Sequence, residues 1–301
     1  MTDPGQLARR FELPGVLRFE QLPGGLAVIR VDSALGTASV MVQGAQVISY
    51  QPRGESPLIW LSGRARYVAG KSVRGGVPVC WPWFGPHATD PLLPAHGYAR
   101  TLDWELLEAG VLPDGRVRLC FELAQNDATR VQWPHSSSVR NTITIGRELE
   151  VVLATRNTGS EGFQLGQALH AYFQVADVRR VSVHGLHGCA YLDKVESGER
   201  RQQRGPVTFT RETDRIYLDT GGVCEIRDPP MDRSLLVTAT GSRSTVVWNP
   251  WIEKAERLGD FEPGGYLSMV CVETANAADD TVSLAPGQEH VLAAQYRLLR
   301  K

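Results

Sequence analysis

Alternation of apolar and polar residues with a period of two is the main pattern along the chain. Between residues 115 and 123, the apolar residues Val117, Leu119 and Phe121 alternate with residues such as Arg118 and Glu122. Side chains of a β-strand point alternately to its two faces, so this pattern is typical of a half-buried strand. We therefore predict a strand in this segment.

The same alternation recurs on both sides of short turn signals. Residues 143–145 and 149–153 flank Gly146-Arg147, which is typical of an antiparallel hairpin. Comparable β-rich runs lie at residues 26–31, 37–50, 163–175, 207–218, 234–248, 267–274 and 289–298. Glycine- and proline-rich turns separate these runs, and no long stretch has a sustained helical period. The chain is therefore predicted to be all-β, one large antiparallel β-sandwich domain over residues 1–301, rather than a doubly wound sheet or a TIM barrel.

Charge and composition narrow the classes of function. The chain has 32 basic and 33 acidic residues, a formal net charge of -1, and so lacks the positive excess that nucleic-acid binders use. No apolar run approaches the roughly 20 residues that cross a bilayer. The five cysteines are odd in number and lack CxxC spacing, which argues against a disulfide framework and a zinc ribbon. We expect a cytoplasmic monomer with no nucleic-acid or membrane partner.

An aromatic segment at residues 71–86 is the first candidate for chemistry. Its prolines and glycines exclude a regular helix or a central strand, and Trp81, Trp83 and Phe84 supply flat apolar faces. Such faces suit a sugar ring, and Gly75-Gly76 would let the backbone approach a ligand closely. A proline-braced plug over one end of the sandwich explains the same composition equally well.

Two further segments carry a histidine. In residues 94–100, His96 is followed by Gly97, which would let the backbone approach a ligand, and Arg100 adds a charged group nearby; the alternative is a turn with a solvated histidine. In residues 168–173, alternation puts His170 and Tyr172 on the strand face opposite to their apolar neighbours. A single histidine on a strand is more often structural than catalytic.

A fourth segment, residues 269–274, is an apolar strand that ends near Glu273. This carboxylate either marks the exit of the strand to solvent or is a base held at the strand end. Periodicity does not choose between the two.

Together these segments resemble a known family, the hexose-6-phosphate mutarotases of the aldose 1-epimerase superfamily. The resemblance rests on motifs that cover most of the chain in the family's order, namely SVRGGVPVCWPWFGPH, PAHGYAR, ALHAYFQV, TDRIYLD, VVWNPWIEKAERLGDFEP and MVCVETA. It implies a β-sandwich of the galactose-mutarotase type, in agreement with the strand pattern. It also implies an enzyme that interconverts the α and β anomers of a hexose 6-phosphate, with glucose 6-phosphate favoured by family habit.

The resemblance assigns acid/base roles to two residues. Glu273 would take the proton of the C1 hydroxyl and His170 would protonate the ring oxygen, so that the ring opens and recloses to the other anomer. A carboxylate and an imidazole suit these roles, because glutamate is normally ionised at neutral pH and histidine can carry a proton. We expect the two on opposite sides of one concave pocket, with no metal or organic cofactor.

The resemblance also assigns residues to substrate binding. Arg74 and Arg100 would bind the phosphate, because an arginine fork forms paired charge-assisted bonds to its oxygens. Asp214 would bind sugar hydroxyls, and His96 would position the substrate. Relatives often have glutamine at the position of Ala95, so that contact is absent or supplied elsewhere.

Other functions remain open from the residues alone. A carbohydrate-binding or regulatory protein on an inactive epimerase fold would need no acid/base pair, and a glycoside hydrolase would normally use two carboxylates. The spacing of His184, His187 and Cys189 superficially suggests metal ligands, but no well-spaced further ligand accompanies them.

Overall fold

The computed structural model describes residues 2–299, and antiparallel strands dominate them. The strands are β1 (Leu17–Gln21), β2 (Ala27–Asp32), β3 (Gly36–Met41), β4 (Gln46–Pro52), β5 (Val79–Cys80), β6 (Glu105–Val111), β7 (Val117–Glu122), β8 (Ser137–Ile145), β9 (Leu149–Asn157), β10 (Phe163–Leu165), β11 (Gln167–Leu169), β12 (Tyr172–Gln174), β13 (Ser182–His184), β14 (Ala190–Asp193), β15 (Glu199–Gln202), β16 (Val207–Thr208), β17 (Thr213–Leu218), β18 (Val223–Asp228), β19 (Arg233–Thr240), β20 (Ser244–Asn249), β21 (Met269–Asn276), β22 (Val282–Leu284) and β23 (Glu289–Leu299). The helices are α1 (Pro4–Phe11), α2 (Asp127–Gln132) and α3 (Trp251–Leu258).

Two large sheets form the layers of a sandwich. A nine-stranded sheet has the order β16-β13-β18-β19-β23-β9-β8-β7-β6, and an eight-stranded sheet has the order β15-β14-β17-β20-β21-β11-β5, with β12 also on β21. Strands β1 to β4 form a third sheet. Inward residues of both large sheets belong to one buried apolar cluster, in which Phe173 meets Tyr296 edge to face at 5.2 Å. The predicted antiparallel β-sandwich is confirmed.

The local alternation predicts several strands correctly. The segment at residues 115–123 contains β7, and the predicted hairpin is β8–β9, with Ile145 paired to Leu149. Longer runs divide where the backbone turns: residues 37–50 contain both β3 and β4, separated by the positive φ values of Gly44 and Ala45. A turn built from small residues keeps the alternation readable while breaking the strand.

The helices are short, which explains why no helical period was visible. The longest have eight residues, about two turns. Helix α3 follows β20 almost directly, and the Asn249 side chain accepts a hydrogen bond from the Trp251 amide at 2.9 Å. Within residues 2–299, no helix has the length and apolar character to span a membrane.

The aromatic segment at residues 71–86 is mainly a packing element, so most of its proposed sugar-binding surface is absent. Trp81 is fully buried and its indole N–H donates to Thr155, while the buried Trp83 donates to the Pro94 carbonyl. Of the three aromatic residues, Phe84 alone lines the large pocket described below. The alternative of a proline-braced plug therefore describes the two tryptophans.

The glycines of these loops pack closely on neighbouring backbone. A Cβ on Gly76 would lie 2.2 Å from the Val47 carbonyl oxygen, and one on Gly97 would lie 1.9 Å from that of Trp81. Both glycines also have positive φ. They let loops pack closely on the sandwich and thereby fix the residues beside them.

Candidate active site

A cavity of about 510 Å³ opens on the face of the eight-stranded sheet that points away from the main core. Alternation along β21 separates the two faces, since Val270 and Val272 lie in the core and Glu273 lines the cavity. Six residues that the sequence analysis singled out line this one cavity: Arg74, His96, Arg100, His170, Asp214 and Glu273.

The floor of the cavity is a row of cross-strand neighbours. Leu192 on β14 pairs with Ile216 on β17, Ile216 pairs with Val246 on β20, and Val246 pairs with Glu273 on β21. These side chains all line the cavity. Glu273 therefore lies at the end of an apolar strip.

His170 continues this row at a break between two strands. Strands β11 and β12 flank it, and both pair with β21 in the same antiparallel register. The flanking pairs are Leu169 with Thr274 and Tyr172 with Cys271. That register puts His170 opposite Glu273, while the His170 amide donates instead to the Pro78 carbonyl at 3.0 Å. The sheet itself thus brings the two residues together.

His170 and Glu273 are in direct contact. Nε2 of His170 lies 3.3 Å from Oε1 of Glu273, and the side chains are 10% and 1% exposed. The expectation that they face each other across the pocket is therefore wrong in detail, because cross-strand neighbours have Cβ atoms only about 5 Å apart. Nδ1 of His170 and Oε2 of Glu273 are buried without a hydrogen-bond partner among residues 2–299. Buried polar atoms of this kind are costly unless a ligand satisfies them.

Burial dominates the protonation of Glu273. It raises the pKa of this carboxyl well above the ordinary value, the charge of Asp214 raises it further, and Arg100 opposes both. A desolvated carboxyl favours its neutral form. Burial therefore opposes the ionisation of Glu273 that the acid/base assignment requires.

Burial acts on His170 in the opposite direction. It lowers the pKa of the imidazole well below the ordinary value, and the charges of His96, Arg100 and Arg74 lower it further. The two shifts together favour a neutral imidazole beside a protonated carboxyl. This pair still holds one proton, which can be exchanged across the 3.3 Å contact.

Arg74 is held rigidly at the edge of the cavity. Its Nε donates to Asp260 Oδ1 at 3.0 Å, its Nη1 donates to the Tyr172 hydroxyl at 2.9 Å, and its guanidinium lies over Phe261. The Tyr172 ring in turn stacks on His170, with centroids 4.8 Å apart. The side chain of Arg74 is only 19% exposed, so it is no ordinary surface ion pair. Its Nη2 has no hydrogen-bond partner within residues 2–299.

The loop at residues 94–100 contributes Arg100 and His96. Arg100 donates from Nη2 to the Ala95 carbonyl at 2.9 Å. Nδ1 of His96 accepts from the Gly85 amide at 3.3 Å, which leaves Nε2 to carry the ring proton. Burial, with the charge of Arg100 and then of Arg74, lowers the pKa of His96 to about 3. His96 is therefore a neutral hydrogen-bond donor rather than a solvated turn residue.

Asp214 lies on the other side of the cavity floor, where it is paired with a lysine. Lys254 donates from Nζ to Asp214 Oδ2 at 3.3 Å and to Glu212 Oε1 at 2.7 Å. The sequence analysis missed Lys254, and it also missed Lys194 and Trp248, which line the cavity too. The sequence offered one signal, the scarcity of lysine, since the chain has only four. Of the lysines among residues 2–299, Lys194 and Lys254 line this cavity.

Positive charge is in excess around the cavity. Four cationic side chains line it: Arg74, Arg100, Lys194 and Lys254. Two carboxyls, Asp214 and Glu273, line it as well, and burial favours the neutral form of the second. Arg74 and Lys254 are paired with Asp260 and Glu212 just outside the lining. Within residues 2–299, Arg100 and Lys194 therefore supply most of the positive charge that favours an anionic ligand.

Residues that could hold a metal lie in the same place. Ligand atoms of His170, Cys271 and Glu273 are within 4.8 Å of one another, and all three residues are buried. Burial raises the pKa of the Cys271 thiol well above its ordinary value, whereas a metal needs the thiolate. A metal here would also occupy the contact through which His170 and Glu273 exchange a proton.

The other suggested ligand set is engaged elsewhere. His184 bonds through Nε2 to Ser182 at 3.0 Å, and His187 accepts from the Gly205 amide at 2.9 Å. Together with Cys189, these two residues lie outside the cavity lining.

Comparisons with known proteins identify the family and the fold. Residues 27–297 match the family described as aldose 1-epimerase. A protein of Escherichia coli K12, provisionally named glucose-6-phosphate 1-epimerase, is 40% identical over 84% of this chain and 84% of its own. A protein of Cenchrus ciliaris with the same provisional name is 33% identical over 89% and 83%. A crystal structure of a provisionally named mutarotase from Salmonella typhimurium has a TM-score of 0.90 and 35% identity, covering 97% of this chain and 96% of that one.

Proposed function

The chain belongs to the aldose 1-epimerase family, and we propose that its cavity interconverts the α and β anomers of a hexose 6-phosphate, with glucose 6-phosphate as the preferred candidate. The carrying observation is the combination, in one cavity, of the His170–Glu273 contact and the excess of cationic side chains. The names of the relatives point to the same substrate. The five cysteines are free, which suits a reducing compartment such as the cytoplasm, and we keep the expectation of a monomer there.

The proposed reaction needs one base and one acid. Glu273, as carboxylate, takes the proton of the C1 hydroxyl; the C1–O1 bond becomes a carbonyl, the bond from C1 to the ring oxygen breaks, and His170 protonates that oxygen. Rotation about C1–C2 turns the other face of the aldehyde toward the hydroxyl that formed from the ring oxygen. The same transfers in reverse close the ring as the other anomer.

Burial favours the protonation state that this pair reaches halfway through the reaction. When the ring is open, Glu273 carries a proton and His170 is neutral, and the desolvation of both residues favours those forms. While the ring-opened sugar is bound, the pair is thus in its neutral form, which costs less to bury than the ionised form. The ionised pair that starts the reaction arises by transfer of the proton over 3.3 Å.

The remaining predicted residues have roles that fit their surroundings. The free Nη2 of Arg74 and the guanidinium of Arg100 can bind phosphate oxygens, and Nε2 of His96 can donate to a sugar oxygen. Asp214 can accept hydrogen bonds from sugar hydroxyls. Because Asp260 and Tyr172 already hold Arg74, little side-chain entropy is lost when the phosphate binds.

An NMR time course of anomer exchange tests the proposal. Freshly dissolved α-glucose 6-phosphate is mixed with the protein, and the anomeric proton signals are followed by NMR against buffer alone, with free glucose and galactose as comparators. We expect clear acceleration with the phosphosugar and much less with the free sugars. Binding of glucose 6-phosphate without acceleration would instead support a sugar-binding protein on an inactive epimerase fold.

A further inference from the structure

Lys254 contacts the residue that is proposed to bind the sugar hydroxyls. It lies 2.7 Å from Glu212 and 3.3 Å from Asp214, and the three side chains are between 24% and 30% exposed. Lys254 and Asp214 line the cavity, whereas Glu212 lies outside its lining. One lysine is thus shared by a carboxylate at the cavity wall and a second carboxylate beyond it.

The fold fixes this contact from two sides. Asp214 on β17 lies opposite Trp248 on β20, one residue before the end of that strand. The chain then enters α3, whose first amide is bound by the side chain of Asn249. Lys254 lies on this helix, and its Nζ contacts Asp214 near the start of β17. The contact therefore depends on the junction of β20 and α3 and not on a mobile surface side chain.

We propose that Lys254 is a positioning residue, which fixes the Asp214 carboxylate at the cavity wall while Glu212 braces the lysine from the other side. Lys254 engages Oδ2, and Oδ1 has no hydrogen-bond partner among residues 2–299, so Oδ1 is the atom presented to a sugar hydroxyl. The inference rests on the proposed function, because it takes Asp214 as a ligand of the sugar. Lys254 acts only through Asp214.

The charges around Asp214 support this role. Burial raises the pKa of Asp214, the charge and hydrogen bond of Lys254 lower it, Glu212 raises it and Lys194 lowers it. Glu273 faces the same space from β21 and is itself sensitive to the charge of Asp214. Without Lys254, burial and the neighbouring carboxyls would favour protonated Asp214. A protonated carboxyl has lost a strong, charge-assisted acceptor.

Two substitutions at Lys254 separate charge from packing. Lys254→Met keeps a long unbranched stem and removes the charge, whereas Lys254→Arg keeps the charge. We expect kcat/KM of Lys254→Met for anomer exchange to fall roughly tenfold or more at about pH 5.5 and to recover toward about pH 8.5, since loss of an adjacent opposite charge raises a carboxyl pKa. Lys254→Arg should retain most activity throughout. Glu212→Gln should extend activity to lower pH.

A matched control is available at Lys71, which is exposed and lies outside the cavity lining. Lys71→Met should have the pH profile of the unchanged protein. Equal loss for Lys254→Met at every pH, with the same loss for Lys254→Arg, would overturn the inference and leave Lys254 a merely structural residue. An unchanged Lys254→Met profile would overturn it as well.

A direct titration separates this inference from the proposed function. The Asp214 carboxyl is followed by carbon-13 NMR with labelled aspartate, assigned through Asp214→Asn. We expect it to titrate at higher pH in Lys254→Met and at lower pH in Glu212→Gln, whether or not the protein accelerates anomer exchange. If Lys254→Met fails to fold, Lys254→Gln, which removes the charge but keeps a polar side chain, is titrated in its place. An unchanged titration in the folded variant would refute the role of Lys254, whereas shifted titrations without exchange activity would refute only the enzyme proposal.

Discussion

Replacing Glu273 with glutamine separates the proposed base from the packing of the cavity floor. Glu273 is 1% exposed and contacts His170 at 3.3 Å, so glutamine fills the same space and can still form a hydrogen bond to the imidazole. It cannot take up a proton. A positioned base contributes about 10²- to 10⁴-fold, which corresponds to roughly 3 to 5 kcal/mol of barrier, and we expect kcat/KM to fall by that factor. Anomer exchange of α-glucose 6-phosphate measured by NMR gives the rate.

Glu273→Gln should lower activity but raise folding stability at high pH. Because burial holds the folded-state pKa of Glu273 above its unfolded value, folding stability falls as pH rises from the ordinary glutamate range through that raised pKa. Glutamine removes this cost. The melting temperature of Glu273→Gln relative to the unchanged protein should therefore increase from about pH 5 to about pH 9.

A glutamate on the other large sheet provides the control. Glu225 on β18 bonds to Arg227, which lowers its pKa, so its contribution to stability is present above the unfolded pKa and is lost as pH falls. Glu225→Gln should retain full activity and gain no relative stability at high pH. Wild-type activity in Glu273→Gln would show that another group is the base. A pH-independent difference in melting temperature would refute the role of burial.

Three further predictions concern the rest of the cavity and the loops behind it. His170→Asn should lower kcat/KM by about 10²- to 10⁴-fold in the same NMR assay, and combining it with the glutamate substitution should cost less than the product of the two single losses, because the pair acts as a unit. Arg100→Ala and Arg74→Ala should each lower kcat/KM for hexose 6-phosphate roughly tenfold to hundredfold, because each charge-assisted bond contributes about 1.5 to 3 kcal/mol. Residual activity on free glucose should be spared. Equal loss with both sugars would show that the arginines are structural. Gly97→Ala should destabilise the fold by at least about 2 kcal/mol in denaturant unfolding, because a Cβ would lie 1.9 Å from the Trp81 carbonyl oxygen at positive φ; an unchanged midpoint would contradict this packing.

Local patterns predicted the strands, because strand alternation depends only on neighbours in sequence. The β8–β9 hairpin and the division of the β11–β12 segment into a core face and a cavity face both follow from side chains two residues apart. Each pattern spans a few residues and needs no knowledge of the partner strand. The resemblance to a family then identified residues on strands and loops that converge on one cavity.

Long-range neighbours were beyond the reach of the same patterns. The contact between His170 and Glu273 depends on β11 and β12 sharing one register on β21. The buried Trp81 donates its indole N–H to Thr155 in the opposite sheet. Aromatic composition cannot say which way a loop faces. Lys254 was missed because α3 is only two turns long and its target, Asp214, belongs to another element.

The cavity residues come both from the eight-stranded sheet and from the segments that connect its strands. Val246, directly paired with Glu273, continues the apolar floor, and burial raises the pKa of Glu273. Arg74, by contrast, lies in a loop, Arg100 in a short 3₁₀ helix (Ala99–Thr101) and Lys254 in α3. The contact between His170 and Glu273 is therefore set by strand register, which cannot shift by one residue without turning Glu273 into the core. The residues proposed to bind the substrate are coupled to this contact: Asp214 lies on β17 of the same sheet, and its charge raises the pKa of Glu273 while that of Arg100 lowers it. A substitution that changes substrate binding at Asp214 or Arg100 should therefore also change the protonation of Glu273.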